Sequence, residues 1–586
     1  MNGRMRWVML CAVSLFLGLL IRLFQVQWAQ SDDFDARSRQ QHTAIQVRVK
    51  RGRILDRHGR ELAVSENVYS LVVYPPFYRQ IAARRPSPRI EARKRELADL
   101  IATHVGLDAQ VVLGRLGSER EFEWVQRRMD HATAKALDDA LIAAEYGWWP
   151  RGALDLRVEE RRAYPSGSLA AHVVGYTDID GKGVTGVEKT YDAVLRSRDV
   201  RRRVLKDGKG RAIDPQVVAD GTPHTGRDIV LTIDEAIQHA LEVELAAQCD
   251  EHEAAGGVGI VMDPSNGEIL AVANYPTFDL NEYNDPAITA LQRRNRAIWA
   301  PYEPGSVFKV VTLSALLQSG RMRGSDVIFC ENGSYVPARR IKAIRDAHPF
   351  GHLTLAEVVS ESSNIGMLKA ASRFTQDEFR AYVRAFGLMQ RTGIDLPYER
   401  TGLMSALSAR SGYAMYFAPW GQSVSVTPIQ MLSAVNTIAN SGRPTQPHVR
   451  QEAELTELPT VIDAATAREV VDIMVSVVDD GSGREAQMEG IRVAGKTGTS
   501  QKVEDGRPGY KPGAYISSFA GFFPADAPEY SMLIVIDEPR GAHYGGQVAA
   551  PVFKRVAERI RQNEVMQPLR ESLSYAADAA TGASVQ

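Results

Sequence analysis

Three short groups of residues constrain this chain more than anything else in it: Ser306-Val307-Phe308-Lys309, Ser362-Ser363-Asn364 and Lys496-Thr497-Gly498-Thr499. A serine hydroxyl is a weak nucleophile at neutral pH and needs a base beside it. Three-residue spacing on a helix puts the Ser306 hydroxyl and the Lys309 amine one turn apart on the same face. Lysine can act as that base where burial or a second cation drives it towards its neutral form. Lys496 can be that second cation. A fold that uses all three groups must bring a helix, a turn and a strand to one point.

The weight of the pattern lies in order and context. S-x-N alone carries almost none, because Ser65-Glu66-Asn67 repeats it in a region with no other catalytic features. S-x-x-K and K-T-G each occur once. Glu303-Pro304-Gly305 precede Ser306 as a helix-entry turn would, and Val307, Phe308, Val310 and Val311 make the helix a buried one. Lys496 follows Ile491-Arg492-Val493-Ala494-Gly495 and opens a strand-like segment. A core helix, a solvated asparagine or a strand-end lysine would explain any one group, but not three in this order. S-x-x-K, S-x-N and K-T-G together are the signature of serine acyl-transfer enzymes that react with penicillin.

The length suggests more than one domain, and 44% apolar with 24% charged residues is ordinary for a folded protein. A net charge of -1 gives no basic surface for nucleic acid. The three cysteines, Cys11, Cys249 and Cys330, form no metal-ligand spacing; Cys249 and Cys330 either pair or stay buried thiols. Trp7 to Trp28 is apolar enough, at about 20 residues, to span a bilayer. It runs into Arg22, Phe24 and Trp28 rather than small residues, which favours an uncleaved anchor over a signal peptide. Arg4 and Arg6 precede the span and Asp32, Asp33 and Asp35 follow it. The expected order is a cytoplasmic N-terminus (1–6), a transmembrane anchor (7–28), and everything later outside.

From 29 to 227 the sequence is Arg-rich and interrupted, with strand-like pieces at Ser70–Tyr74 and Val200–Leu205 and helical ones at Ile90–His104 and Thr133–Tyr146. It holds no nucleophile–base pair. From 228 to 565 the pattern is richer. Helices are expected at Asp234–Cys249, Ser306–Leu317, Leu355–Phe374, Pro428–Ile438, Ala464–Val478 and Ala549–Arg561. Strands are expected at Gly257–Met262, Ile269–Ala273, Ile491–Lys502, Tyr515–Phe523 and Tyr530–Asp537. The Ala/Ser/Gly-rich stretch 566–586 is expected to be disordered.

Beyond the three groups, the chain carries Arg51-Gly52-Arg53-Ile54-Leu55-Asp56-Arg57, Gly59-Arg60-Glu61-Leu62-Ala63, Tyr164-Pro165 through His172, and Gly186-Val187-Glu188-Lys189. It also carries Gly421-Gln422 with Val426-Thr427-Pro428, and Tyr544-Gly545-Gly546 with Ala550-Pro551-Val552-Phe553. With these it resembles the class B penicillin-binding proteins, and among them the septal transpeptidases of cell division. The resemblance implies an α+β protein: a transmembrane helix, an irregular α/β pedestal of the dimerisation type (29–227), and a transpeptidase domain (228–565). That last domain would hold an antiparallel sheet with helices on both sides. It also implies a serine D,D-transpeptidase of the inner membrane, single-pass, with its catalytic domain outside.

By the same resemblance Ser306 is the nucleophile, Lys309 its base, Ser362 a proton relay towards Lys496, and Asn364 a binder of substrate backbone. Lys496, Thr497, Gly498 and Thr499 would receive a D-Ala-D-Ala stem peptide, and β-lactams would be inhibitors. A polytopic glycosyltransferase of the FtsW type and other division proteins would be partners. No metal or organic cofactor has a task in this chemistry. Three other readings share much of this pattern. They are a hydrolase of the same fold, which would need a water-activating glutamate, an elongation-type class B enzyme, and an inactive scaffold or β-lactam sensor.

Overall fold

In the computed structural model, residues 3–25, 42–47, 50–84, 87–144, 154–196, 200–206, 212–214, 226–404, 412–504 and 509–564 are described. The expected disordered tail and residues 26–28 of the expected anchor lie outside them. Two compact units make up the chain. The first combines Met1–Gly52 with Arg196–Arg227. It contains the 22-residue helix Gly3–Phe24 and a small antiparallel sheet, with Val200–Lys206 between His42–Val47 and Ala212–Asp214. Arg201, Arg202 and Arg203 lie on that central strand in register with Gln46, Ile45 and Ala44. Among the described residues no helix is both long enough and apolar enough to cross a membrane. The helix Gly3–Phe24 carries Arg4, Arg6 and Arg22, yet its apolar side chains, Trp7, Phe16 and Phe24 among them, are exposed.

The second unit joins Arg53–Leu195 to Asp228–Gln586. Its first stretch is organised by the long strand Glu61–Val73, which pairs antiparallel with Leu154–Ala163 and with Glu123–Met129. Helices Pro88–Val105, Ala109–Leu116 and His131–Ala143 start at side-chain caps on Ser87, Asp108 and Asp130. They bury Leu97, Ile101, Val112 and Leu137 against Leu71 and Val125. Elsewhere in this stretch Ile54, Leu62, Tyr164 and Val173 belong to the same apolar core as Val258, Phe308 and Val311. Residues 54–63 and 164–195 therefore help to build the core that carries Ser306.

The centre of the unit is a five-stranded, wholly antiparallel sheet: β1 (Gly256–Met262), β2 (Ile269–Tyr275), β3 (Ala494–Val503), β4 (Tyr510–Phe523) and β5 (Tyr530–Asp537). Its spatial order is β2-β1-β5-β4-β3. Both faces are covered, so β1 and β5 read as nearly continuous apolar runs. One face packs against Glu235–Glu251 and the C-terminal helix 550–564, through Leu241, Leu245, Phe553 and Val556. On the other side lie Lys309–Gln318, Pro428–Ala439 and Ala464–Asp479. The expected antiparallel sheet between helices is what forms. β3 is an edge strand, paired only with β4 among the described residues.

Two expected helices take a different form, and both differences fall on the motif residues. Ser306 sits in a 3-10 turn, Gly305–Phe308, which only then becomes the α-helix Lys309–Gln318. The continuous helix expected over 355–374 is two helices, Leu355–Ser360 and Asn364–Ala371, broken at Ser362. There the backbone turns left-handed, with φ +63°. The apolar spacing runs through the break because Leu355, Val359, Ile365 and Leu368 all face the core.

Candidate active site

The 3-10 turn is the first piece of the site. With three residues per turn, side chains at i and i+3 eclipse, which stacks Lys309 directly on the Ser306 side of the helix. Gly305 makes the turn possible at φ +54°, and a Cβ there would lie 2.9 Å from the Thr499 carbonyl oxygen. Gly498 is under similar pressure, since its Cβ would meet the Pro304 carbonyl oxygen at 2.8 Å. These two glycines let the nucleophile turn press against edge strand β3. Any side chain at either would push Ser306 away from Lys496-Thr497-Gly498-Thr499.

Lys309 is fully buried, and its Nζ donates to the Ser362 carbonyl at 2.5 Å, to Ser362 Oγ at 3.2 Å and to Asn364 Oδ1 at 2.9 Å. Lys496 is equally buried and donates to Ser362 Oγ at 3.0 Å and to the Thr497 carbonyl and hydroxyl, each at 3.3 Å. One hydroxyl, Ser362 Oγ, thus stands between two buried amines. The left-handed backbone at Ser362 costs about 1–2 kcal/mol in a non-glycine residue. It also aims that residue's carbonyl at Lys309. Seven of the eight predicted residues are tied together by these bonds and by the packing of Gly498 and Thr499 against the nucleophile turn. Ser306, the eighth, is half-buried one turn from Lys309, whose hydrogen bonds go to Ser362 and Asn364.

The electrostatics follow from burial. Removal from water drives Lys309 well below the usual lysine range, and the neighbouring Lys496 charge pushes it further, against a pull upward from Asp346. Burial pushes Lys496 down to about 7. Two buried ammonium groups sharing one hydroxyl repel each other, so at neutral pH the pair is poised to lose a proton.

Sequence reasoning missed four supports. Asp346 accepts from Ser363 Oγ at 2.5 Å and from the N–H groups of Asn364 and Ile365 at 2.6 and 3.1 Å, which fixes the second motif's turn. The Arg345 carbonyl accepts from Asn364 Nδ2 at 3.1 Å and sets which way that amide faces. Ser482 shares a 2.8 Å hydrogen bond with the Thr497 hydroxyl. Glu303 accepts from the Ser423 N–H and the Tyr510 hydroxyl, both at 3.0 Å, while its carbonyl accepts from Ser500 Oγ at 2.7 Å. It thereby ties the nucleophile turn to β3 and β4. Only Glu303 lay next to a motif; Asp346 and Ser482 arrive from loops and Arg345 from the two-residue strand Ile344–Arg345, and no local pattern encodes their placement.

Burial raises the Glu303 carboxyl to about 7, against its two donors, which favour the anion. A carboxyl raised in the folded state holds its proton where the unfolded chain has lost it. Its contribution to stability is full below about 4.5 and disappears as pH rises through about 7. The expected result is a melting temperature that falls between pH 5 and pH 8 in the parent protein and falls less in Glu303→Gln. Parallel pH dependence of thermal unfolding in the two proteins would remove Glu303 as the cause.

Two family models match the chain: the penicillin binding protein transpeptidase domain over residues 257–558 and the penicillin-binding protein dimerisation domain over residues 46–231. Stage V sporulation protein D of Bacillus subtilis is 31% identical, covering 94% of this chain and 84% of its own length. Peptidoglycan D,D-transpeptidase FtsI of Escherichia coli is 30% identical, over 96% of this chain and 92% of its own. Among solved structures, penicillin binding protein 3 of Mycobacterium tuberculosis complexed with aztreonam superposes with a TM-score of 0.63 at 27% identity, covering 89% of this chain and 97% of that one. With both domain types and all three motifs at one site, the chain belongs to the class B penicillin-binding proteins.

Proposed function

We propose that this protein is a peptidoglycan D,D-transpeptidase that works through a serine acyl-enzyme, and that it serves the division septum. The observation that carries the reading is the hydrogen-bonded line from Lys309 through Ser362 Oγ to Lys496, with both amines buried. Ser306 Oγ attacks the carbonyl carbon of the penultimate D-Ala of a stem peptide, and its proton passes to Lys309. The bond to the terminal D-Ala nitrogen breaks, and Ser362 returns a proton to that leaving amine. The amine of a second stem peptide then attacks the acyl-enzyme, forms the cross-link and frees Ser306.

Asn364 would bind the donor peptide's backbone, and the outer edge of β3 would align the peptide as an added strand. Lys496, Thr497 and Thr499 would take the terminal carboxylate. The backbone N–H groups of Ser306 and Thr499 would stabilise the oxyanion, at about 3 kcal/mol per donor. A β-lactam would enter as a stem-peptide mimic and stop at the acyl-enzyme. The scheme gives no task to a metal or organic cofactor.

The domain reading is a cytoplasmic start at 1–6, an anchor at 7–28, a pedestal over 29–227, the catalytic domain over 228–565 and a tail over 566–586. The anchor rests on the exposed apolar face of Gly3–Phe24 and on the change from Arg4 and Arg6 to Asp32, Asp33 and Asp35. In a Gram-negative host the full chain is expected to fractionate with the inner membrane and to keep Met1 or Asn2 at its N-terminus. A mature form beginning after residue 28 would overturn it. The septal role rests on the relative named FtsI and implies an FtsW-type glycosyltransferase as partner. Depletion should give filaments; rounded cells that still divide would assign the protein to elongation.

A further inference from the structure

Just ahead of Ser306, Trp299 lines a cavity of about 350 Å³ outside the catalytic cleft. Its wall comes from residues 172–186, 290–299 and 396–398, with Tyr176, Arg293, Arg294 and Tyr398 among them. Among the described residues, two arginines and no aspartate or glutamate line it. The positive charge extends beyond the wall. The Arg294 and Arg400 guanidinium groups lie 4.2 and 4.4 Å from the Trp299 ring centroid, and the Lys189 ammonium lies 5.1 Å from that of Tyr398.

The acids closest in sequence are engaged elsewhere. Asp395 accepts from the Tyr191 hydroxyl and the N–H groups of Val449 and Arg450. Glu399 accepts from Thr392 and the Gly393 N–H. Arg293 is fixed in the wall by one terminal nitrogen, which donates to the Ile288 carbonyl at 2.6 Å, while Arg294 stands exposed. An arginine fork is matched to the two oxygens of a carboxylate or phosphate.

We propose that this cavity binds a small oxyanion, a carboxylate or a phosphate, carried on a body the size of one amino sugar. The volume falls within the range of small-molecule sites, and aromatic side chains beside the arginines offer surface to the ring. The site lies on the stretch that leads to the nucleophile. Ile298 accepts from the Arg400 N–H at 3.0 Å, and Tyr302 exchanges two 2.9 Å hydrogen bonds with Val426. An occupant would therefore sit on the segment that positions Ser306, without entering its cleft.

The test uses the full chain in detergent, first acylated with penicillin so that the cleft is blocked. Three probes are titrated by calorimetry: N-acetylmuramic acid for carboxylates, N-acetylglucosamine 1-phosphate for phosphate, and uncharged N-acetylglucosamine. The expected result is saturable binding of one or both charged probes and none of the neutral sugar. Affinity should drop about tenfold or more in Arg293→Gln, the scale of a lost charged hydrogen bond. Arg294→Gln, at an exposed position, should weaken it as well, with normal penicillin acylation reporting an intact fold. Which charged probe binds identifies the source of the anion. The proposal is overturned if neither charged probe binds, if the neutral sugar binds equally well, or if both variants bind like the parent.

Discussion

Replacing Ser306 by alanine is expected to reduce penicillin acylation to background, a loss on the order of 10⁶-fold if it matches other serine nucleophiles. No other serine in the chain has a lysine three residues on. Among the described residues no other hydroxyl sits one 3-10 turn before a fully buried lysine that shares a hydroxyl partner with a second buried lysine. The substitution removes one oxygen from a half-buried position, so the fold should be untouched. Mass spectrometry of the labelled parent should place the adduct on the peptide containing Ser306. A label on another serine, or labelling that survives Ser306→Ala, would refute the assignment.

Lys309→Arg is the second large effect. Arginine keeps the charge but cannot release its proton in a protein. Acylation should fall by at least about 100-fold, the low end for loss of a general base. The loss should hold at every pH. In the parent protein the rate should instead follow two titrations of opposite sign. It rises with pH as Lys309, held low by burial and by Lys496, loses its proton. It falls again as Lys496, pushed down to about 7, loses its own. Stopped-flow acylation across pH checks both, and near-normal rates in Lys309→Arg would mean that another group takes the Ser306 proton.

The sequence made much of this visible, for identifiable reasons. β1 and β5 were legible because helices cover both faces of the sheet, so nearly every residue in them is apolar. The helix Pro428–Ala439 was legible from its first residue because Thr427 caps it just ahead of a proline, whereas the helix expected from Ile90 begins two residues earlier, at Pro88 behind the Ser87 cap. The break at Ser362 was not, because core-facing residues continue in helical spacing on both sides of it. A single left-handed residue leaves no trace in hydrophobic periodicity. Asp346 and Ser482 were invisible for another reason. Each reaches its motif partner from a loop, and their positions depend on how the chain folds around the sheet. Glu303 was read as part of a turn, and only burial against Tyr510 marks it as a carboxyl with a displaced proton.

The same contrast divides the site. The chemical groups were legible because acyl transfer needs particular residue types at particular spacings. Their supports could be carried by many residue types, so spacing gave no sign of them. The cavity beside Trp299 belongs with the supports. Its arginines are scattered among ordinary charged residues in the sequence, and only the structure sets them around one volume with their acids turned away.

The most direct measurement is the mass of the protein after brief incubation with a D-Ala-D-Ala stem peptide and no acceptor amine. The account predicts an adduct on the peptide containing Ser306, equal to the stem peptide less its terminal D-Ala, together with release of free D-Ala. Adding a second stem peptide should remove the adduct and yield the cross-linked dimer. Cross-linking without any adduct on Ser306, or an adduct of the intact stem peptide, would contradict it.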